Sequence, residues 1–339
     1  MVTPAYEDPA GITVFHGECV EVMRQFPEAS VDAVVTDPPA GIGFMGRDWD
    51  AFRRRHNPAD IGRDSVGGRL SRVAPASYTE SDRHRFVAVM TEAFAECLRV
   101  LKPGGHALVW TLPRTSHWTA WALEDAGFEI RDRVAHLFGQ GFPKSLNLDG
   151  AWSGWGTALK PAVEDWWLCR KPLSEGTVAA NVLKHGTGAL NVDGCRIHAE
   201  DAQGGEYTVR RLKPGATLNK TGGNWRPDES GIEFHGEMKP GRWPANLVLD
   251  EEAAAQLDQQ SGELASGTNA VRTKVGSFLE HGGLGRPGDV QTTYGDRGGA
   301  SRFFFTSKAD AEDRAGSKHP TVKPLALMEW LVRLVTPPG

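Results

Sequence analysis

The residues best suited to chemistry lie where the apolar run Val31–Thr36 ends in an aspartate and two prolines, VDAVVTDPP. Proline fixes its own φ and disfavours a helical conformation in the residue before it, so we expect Asp37 to be extended. The Asp37 carboxylate and the Pro38 carbonyl, held by Pro38 and Pro39, can then point at one amino group. An acid at the carboxyl end of a buried strand also lies where open α/β sheets bind ligands. The alternative is that Asp-Pro-Pro merely ends a strand, because proline cannot continue a β-ladder.

A competing motif follows directly. Residues 41–46 read GIGFMG and match the G-x-G-x-x-G pattern of dinucleotide-binding turns, with Asp60 and Asp64 roughly where an acid for the ribose is sought. That interpretation would make the protein a nucleotide-dependent oxidoreductase. However, two prolines separate the strand from these glycines, and residues 47–60 lack the apolar face that a crossover helix must bury. We therefore expect the glycines to let a loop fold closely over a planar ligand.

An α/β framework must position these residues. From Ile12 to about Arg170, short apolar runs alternate with amphipathic stretches, which predicts a sheet, most simply a parallel one, with helices on both faces. Pro103-Gly104-Gly105 is expected to end a helix. The predicted strands are Gly11–Phe15, Val31–Thr36, His106–Trp110, Glu129–Leu137 and Ser301–Ala309, and the predicted helices are Val20–Phe26, Ser81–Leu101, Trp118–Gly127 and Leu325–Val335.

Composition indicates a globular protein with a distinct middle region. Residues 176–300 carry 22 of the 40 glycines and are weakly periodic, which favours a separate recognition region with short strands over a bare loop. The net charge of -5 gives no general attraction to nucleic acid, so any affinity must come from local patches. We expect neither a membrane span nor a secretory signal, and therefore a cytoplasmic protein. The four cysteines form no C-x-x-C pair, which argues against a metal site or disulfide framework.

The order of the motifs resembles one enzyme family. The segments HGECVEVMRQFP, SVDAVVTDPP and LKPGGHALVW precede the variable region, and HPTVKPLALMEWLVRLVTPPG follows it. This order is similar to that of exocyclic-amino DNA methyltransferases of the permuted type, in which the main S-adenosylmethionine loop comes last. KPAVEDWWLCRKPL, GTGALNVDGCRI and GRWPANLVLDE further resemble phage and prophage members. The resemblance implies a Rossmann-like S-adenosylmethionine-dependent methyltransferase sheet and a link to restriction-modification.

The resemblance also divides the chain and assigns roles. It implies a catalytic part at 1–175, a target-recognition region at 176–300 and a return segment at 301–339. Asp37 and Pro38 would accept hydrogen bonds from the amino group of a flipped base as its nitrogen attacks the sulfonium methyl, without a covalent enzyme intermediate. Lys323, with Thr321 and Pro324, would contact the methionine part of the cofactor. The alternative for Lys323 is a solvated charge at a helix start.

Three positions depart from the family pattern. Glu18 stands where the family usually has the aspartate of a Gly-Asp pair, and it would hold the adenosine of the cofactor. Ala40 replaces the aromatic residue that usually stacks on the flipped base, so we predict that Phe44 or Trp49 supplies the ring, simple packing being the alternative. The D-P-F-x-G-x-G cofactor loop of the family should begin just after Gly339 and is absent from these residues, so the chain resembles a methyltransferase truncated before that loop, or one completed by further sequence. The sequence thus predicts a sheet that is incomplete at the carboxyl terminus and weak cofactor binding by these residues alone.

The expected partner is double-stranded DNA, without a membrane or a metal, and the oligomeric state is open, a dimer being one option. Arg53, Arg54 and Arg55 lie in an arginine-rich stretch that could bind phosphates, or could be a solvated loop. Cations and indoles such as Arg242 and Trp243 suit backbone and base contacts in the recognition region.

Asp-Pro-Pro favours adenine N6 methylation, with cytosine N4 methylation as the alternative. A catalytically inactive DNA-binding fragment is the further alternative.

Overall fold

The structure is a computed structural model that describes residues 3–41, 80–141, 147–198, 205–211, 232–265, 270–271, 290–291, 296–317 and 322–338. The described residues fall into two compact units. Unit 1 comprises Met1–Gly194, Asn246–Ala253 and Thr306–Gly339, and unit 2 comprises Cys195–Ala245 and Ala254–Phe305. The predicted recognition region at 176–300 therefore contributes to both units, and its role in recognition stays a prediction.

The elements follow one another with short strands concentrated in the second half of the chain. The strands are β1 (Tyr6–Glu7), β2 (Thr13–Val14), β3 (Val31–Thr36), β4 (Leu101–Thr111), β5 (Glu129–Leu137), β6 (Val163–Arg170), β7 (Gly205–Arg211), β8 (Ile232–Met238), β9 (Leu247–Leu249), β10 (Leu264–Ala265), β11 (Ala270–Val271), β12 (Val290–Gln291), β13 (Arg297–Gly298) and β14 (Phe305–Thr306). The α-helices are α1 (Cys19–Met23), α2 (Glu80–Val100), α3 (Ser116–Asp125), α4 (Val178–His185), α5 (Glu251–Ser261) and α6 (Leu325–Val335).

A six-stranded sheet in the order β14-β9-β5-β6-β4-β3 forms the centre of the fold. β3 is parallel to β4, and β5 is parallel to β9, whereas β6 is antiparallel to both of its neighbours. The α/β prediction is confirmed, but the prediction of a parallel sheet is wrong. The described residues between β5 and β6 contain no α-helix that could return the chain for parallel pairing, so β6 runs back antiparallel.

The start of β4 differs from the prediction. Helix α2 ends at Val100 and the strand begins at once, so Pro103-Gly104-Gly105 lies inside β4 and does not end the helix. The register to β3 steps from Val31↔Leu101 to Ala33↔His106, which leaves extra residues in β4 as a bulge. Gly104 has φ +79°, a conformation that side chains rarely adopt. The bulge thus accommodates Pro103-Gly104-Gly105 within the strand, although this sequence is typical of a helix end.

Helices cover the sheet with apolar side chains. Phe86, Phe94 and Leu101 belong to a buried cluster with residues of α3 and β4. Helix α6 contacts β3 and β4, with Leu327 and Leu331 fully buried. The predicted strand at Ser301–Ala309 is wrong over most of its length. Residues Ala300–Phe303 form a 3-10 helix, and β14 covers only two residues, because the Phe304 N–H binds the Ser301 carbonyl in a turn (2.9 Å).

Candidate functional site

Asp37 directly follows β3 at the carboxyl edge of the sheet. The strand ends at Thr36, whose neighbour in the parallel strand β4 is Val109. The Asp37 side chain is 41% exposed, so it is accessible at this edge. Carboxyl ends of neighbouring parallel strands meet at one edge, which is where open α/β sheets place ligands. The structure thus puts the predicted catalytic carboxylate at a ligand edge.

The turn that follows Asp37 is tied to helix α3. Thr115 precedes α3, is almost fully buried, and donates a hydrogen bond from its hydroxyl to the Ala40 carbonyl (2.8 Å). Pro38 and Pro39 lie half-buried between these points, and Gly41 has φ +72°. Proline and a positive-φ glycine restrict the backbone on both sides of Ala40. The Asp-Pro-Pro turn is therefore held at its distal end by a buried side chain.

Two further side chains reach the same edge from β4 and β6. Trp110 pairs across the strands with Trp166, and Glu164 lies two residues before Trp166, so both side chains share a face of the sheet. The Trp110 indole N–H donates to Glu164 Oε2 at 2.8 Å. Because β6 runs antiparallel, its first residues lie beside the last residues of β4. Sequence reasoning did not single out Glu164 or Trp110, since their proximity depends on that reversal.

Lys323 closes the cluster from the segment before α6. Its Nζ lies 3.6 Å from Asp37 Oδ2 and 3.3 Å from Glu164 Oε2. The same nitrogen is 3.6 Å from the centre of the Trp110 ring, within the range of a cation–π interaction. The Lys323 side chain is only 13% exposed, so these contacts are poorly screened by water. The alternative of a solvated charge at a helix start is wrong for Lys323.

Glu18 and Pro324 each stand directly before a helix. Glu18 precedes α1 and accepts a hydrogen bond from the Glu21 backbone N–H (3.1 Å), which lowers the pKa of the Glu18 carboxyl. Pro324 precedes α6, and its carbonyl accepts from the Met328 N–H (3.0 Å). The Glu18 carboxylate thus satisfies a free N–H group in the first turn of α1, whereas the Pro324 carbonyl only accepts the first regular hydrogen bond of α6. The predicted cofactor contacts of Glu18 and Pro324 stay predictions.

Several predicted site residues lie outside the described part of the chain. These are the two candidates for base stacking, one candidate cofactor ligand and the three candidate phosphate-binding arginines, namely Phe44, Trp49, Thr321, Arg53, Arg54 and Arg55. Their roles stay predictions.

In unit 2, Arg242 and Trp243 differ in exposure, although the sequence suggested the same role for both. Arg242 is buried, forms an ion pair with Asp296, and donates to the Arg302 carbonyl (2.9 Å). Trp243 is 66% exposed, and the Arg196 guanidinium lies 5.6 Å from its ring centre. A buried arginine offers little surface to a ligand, whereas an exposed indole beside a cation suits contact with nucleic acid. Trp243 thus remains a candidate for DNA contact, and Arg242 does not.

Metal and membrane features can be assessed over the described residues. Within those ranges, no group of three or more histidine, cysteine or acidic side chains could hold a metal ion. No helix in that part of the chain is long and apolar enough to cross a membrane.

Comparison with known proteins identifies the family. Residues 31–339 match the family model of the DNA methylases of the N6 and N4 type. The chain belongs to this DNA methylase family. The predicted family is thereby confirmed, and the dinucleotide-dependent oxidoreductase is excluded. The methylase is 24% identical to the type II methyltransferase M.BamHI of Bacillus amyloliquefaciens over 111 residues, which span 33% of this chain and only 19% of that relative.

Solved structures with partial similarity include other methylases. A protein of Thermus thermophilus described as a DNA modification methylase, complexed with S-adenosyl-L-methionine, shares 18% identity at a TM-score of 0.28. That match covers 48% of this methylase and 56% of the other chain. The PvuII DNA methyltransferase, specific for cytosine N4, shares 19% identity at a TM-score of 0.31, over 52% of this chain and 64% of the other.

Proposed function

We propose that this methylase transfers a methyl group from S-adenosylmethionine to the exocyclic amine of a base in double-stranded DNA, with adenine N6 as the favoured target. The observation that carries the proposal is the placement of Asp37 at the carboxyl edge of β3, with its carboxylate accessible and 3.6 Å from Lys323 Nζ. The site presents a hydrogen-bond acceptor, and an amino group that will act as a nucleophile needs such an acceptor.

The transfer requires little covalent chemistry from the protein. The cofactor supplies an electrophilic methyl group on a sulfonium. The amino nitrogen of the base would attack that methyl carbon, the carbon–sulfur bond would break with its electron pair left on sulfur, and one amino proton would pass from the nitrogen to solvent water. The Asp37 carboxylate and the Pro38 carbonyl accept hydrogen bonds from the amino N–H groups of the base and so orient the lone pair of its nitrogen. Positioning of the two reactants supplies a large part of the rate.

The charges at this edge fit a cationic cofactor. Asp37 and Glu164 contribute two negative charges and Lys323 one positive charge, so the cluster carries a net charge of -1. A sulfonium carries +1, and its approach to such a cluster is electrostatically favourable. On this proposal Lys323, with Thr321 and Pro324, also faces the methionine part of the cofactor, and Glu18 its adenosine.

The choice of base and the DNA contacts extend the proposal. Asp-Pro-Pro resembles the motif of adenine-modifying members of the family, and cytosine N4 is the second candidate. Phe44 or Trp49 would replace the stacking that a flipped base loses, worth about 1 to 3 kcal/mol per base. Arg53, Arg54 and Arg55 would bind phosphates, and the exposed ring of Trp243 would contact DNA.

The test is an assay with tritiated S-adenosylmethionine and unmethylated genomic DNA. We expect label in the DNA. After digestion to nucleosides, we expect the label to co-elute with N6-methyldeoxyadenosine. Co-elution of the label with N4-methyldeoxycytidine would instead establish cytosine N4 as the target. Gel-shift affinity for DNA without any transfer would instead favour an inactive DNA-binding fragment. The absence of both label and DNA binding would contradict the proposal.

A further inference from the structure

We propose that Glu164 is a positioning residue for Asp37 and acts through Lys323. This inference rests on the proposed function, because it assigns a task within the same site. Glu164 and Lys323 are 159 residues apart in sequence, yet Lys323 Nζ lies 3.3 Å from Glu164 Oε2 and 3.6 Å from Asp37 Oδ2. One ammonium therefore contacts both the predicted catalytic carboxylate and a second carboxylate.

The Glu164 side chain is held rigidly. It projects from β6, an eight-residue strand paired on both sides, and its Oε2 also accepts the Trp110 indole N–H at 2.8 Å. Trp110 is buried, so its ring cannot easily move. The Glu164 carboxylate is thus the fixed end of the cluster, whereas Asp37 is the more exposed end, on a turn.

Lys323 connects the fixed end to the exposed end. An ammonium has three N–H donors, and here two carboxylates and the face of the Trp110 ring surround it. Attraction to Glu164 balances attraction to Asp37. Without the Glu164 charge, Lys323 would move towards Asp37 and engage the oxygen that must accept the amino group of the base. Glu164 therefore limits how closely the ammonium approaches Asp37 and so keeps the Asp37 carboxylate in position.

The test compares Glu164→Gln with a matched control. The glutamine retains an oxygen for the Trp110 N–H and loses only the charge. We expect kcat for methyl transfer at saturating cofactor to fall by about tenfold to a hundredfold, as for small displacements of reacting groups, with KM for DNA within about twofold. The control is Glu129→Gln, because Glu129 is also partly exposed and pairs with Arg170 (2.6 Å) at the opposite end of β5. We expect no change in transfer for that variant.

A double-mutant cycle tests the route through Lys323. If Glu164 acts through the ammonium, Glu164→Gln has no further effect on kcat in a Lys323→Met background. Equal fold-losses in both backgrounds would overturn the inference, as would an unchanged kcat for Glu164→Gln.

A readout independent of activity separates this inference from the proposed function. The coupling between Asp37→Ala and Lys323→Met is measured by urea unfolding, with and without Glu164→Gln. We expect the coupling to increase when Glu164 is neutralised, since Lys323 then has a single carboxylate partner. An unchanged coupling would contradict the inference even if transfer occurs. Absence of transfer by the unaltered methylase would contradict the proposed function alone.

Discussion

At the scale of single residues, position relative to one strand distinguishes the proposed catalytic carboxylate from an ordinary one. Asp32 and Asp37 are five residues apart, each side chain is 41% exposed, and each has a lysine partner, Lys102 at 2.6 Å and Lys323 at 3.6 Å. Asp32 lies within β3 and forms a short, partly exposed ion pair, which contributes little to stability. Asp37 lies beyond the strand end, at the ligand edge.

This pair defines the first prediction. Asp37→Ala lowers kcat for methyl transfer by roughly a hundredfold to a thousandfold, because an acceptor that strengthens as charge develops is worth about 2.7 to 4 kcal/mol. Duplex affinity in a gel shift is expected to stay near the original value. Asp32→Ala serves as the control and leaves transfer unchanged. Transfer by Asp37→Ala within about threefold of the unaltered enzyme would remove Asp37 from the mechanism.

The second prediction concerns His106, which lies in β4 and is buried. Burial, with the nearby charges of Arg170 and Arg131, lowers the pKa of His106 to about 4. An unfolded histidine has a pKa near 6.5, so between about pH 6.5 and pH 4 the unfolded chain binds a proton that the folded chain does not. The free energy of unfolding therefore keeps the full contribution of this site above about pH 6.5. It decreases by up to ~1.4 kcal/mol per pH unit as the pH falls from about 6.5 towards 4.

Urea unfolding at pH 7.5 and pH 5 measures this effect. The free energy of unfolding of His106→Gln is expected to fall less between the two pH values than that of the unaltered protein. His84→Gln is the control, since His84 is exposed on α2. Identical pH dependence of all three proteins would contradict the assignment.

At the scale of elements, one buried asparagine holds the bulge in β4. Asn181 of α4 is fully buried and donates from Nδ2 to the carbonyls of Pro103 and Thr187, each at 2.8 Å. Its Oδ1 accepts the Ser174 N–H at 3.1 Å. A strand with extra residues leaves backbone groups that its neighbours cannot pair. Asn181 of α4 therefore supplies one hydrogen bond to the irregular strand, at Pro103, and links the strand to the backbone at Ser174 and Thr187.

The third prediction follows from these contacts. Asn181→Ala lowers the free energy of unfolding by about 1 to 3 kcal/mol, because buried backbone groups lose their partners. The Pro103 carbonyl keeps the hydrogen bond from the Thr187 hydroxyl (2.6 Å), which limits the loss. Asn246→Ala is the matched control: Asn246 is exposed and bonds only to Asp132 among its described side-chain contacts. Equal urea midpoints for the two variants would show that α4 does not support the bulge.

At the scale of the molecule, α6 brings the far end of the sequence back to the first long strand. The helix packs on β3 and β4, and the Asn191 N–H donates to the Leu334 carbonyl near its end (2.9 Å). Lys323 stands two residues before the helix begins. Docking of α6 therefore determines whether Lys323 reaches Asp37.

The fourth prediction tests this docking. Leu331→Ala removes a fully buried side chain and is expected to cost about 2 to 5 kcal/mol of stability. Its neighbour Val332 is 42% exposed, and Val332→Ala is expected to stay within about 0.5 kcal/mol. Thermal unfolding measures both. Equal losses would mean that α6 is not anchored through the Leu331 face.

Local patterns in the sequence determined the parts of the fold that depend on near neighbours. The periodicity of Leu325–Val335 and the apolar run Val31–Thr36 predict α6 and β3 with the bounds that the structure has, because helix and strand faces repeat over a few residues. Prolines restrict the backbone next to them, so Asp37 could be recognised as the candidate catalytic acid without a structure. The order of the motifs was sufficient to indicate the family.

Only the tertiary structure decided which distant residues meet. The antiparallel direction of β6 and the bulge in β4 depend on pairings across the sheet, and local propensity does not specify such pairings. For the same reason the contact of Glu164 and Trp110 with Lys323 has no local signature, since residues from β4, β6 and the segment before α6 form it. Burial, which turns Lys323 from a solvated charge into a bridge between carboxylates, is a property of the packed chain alone.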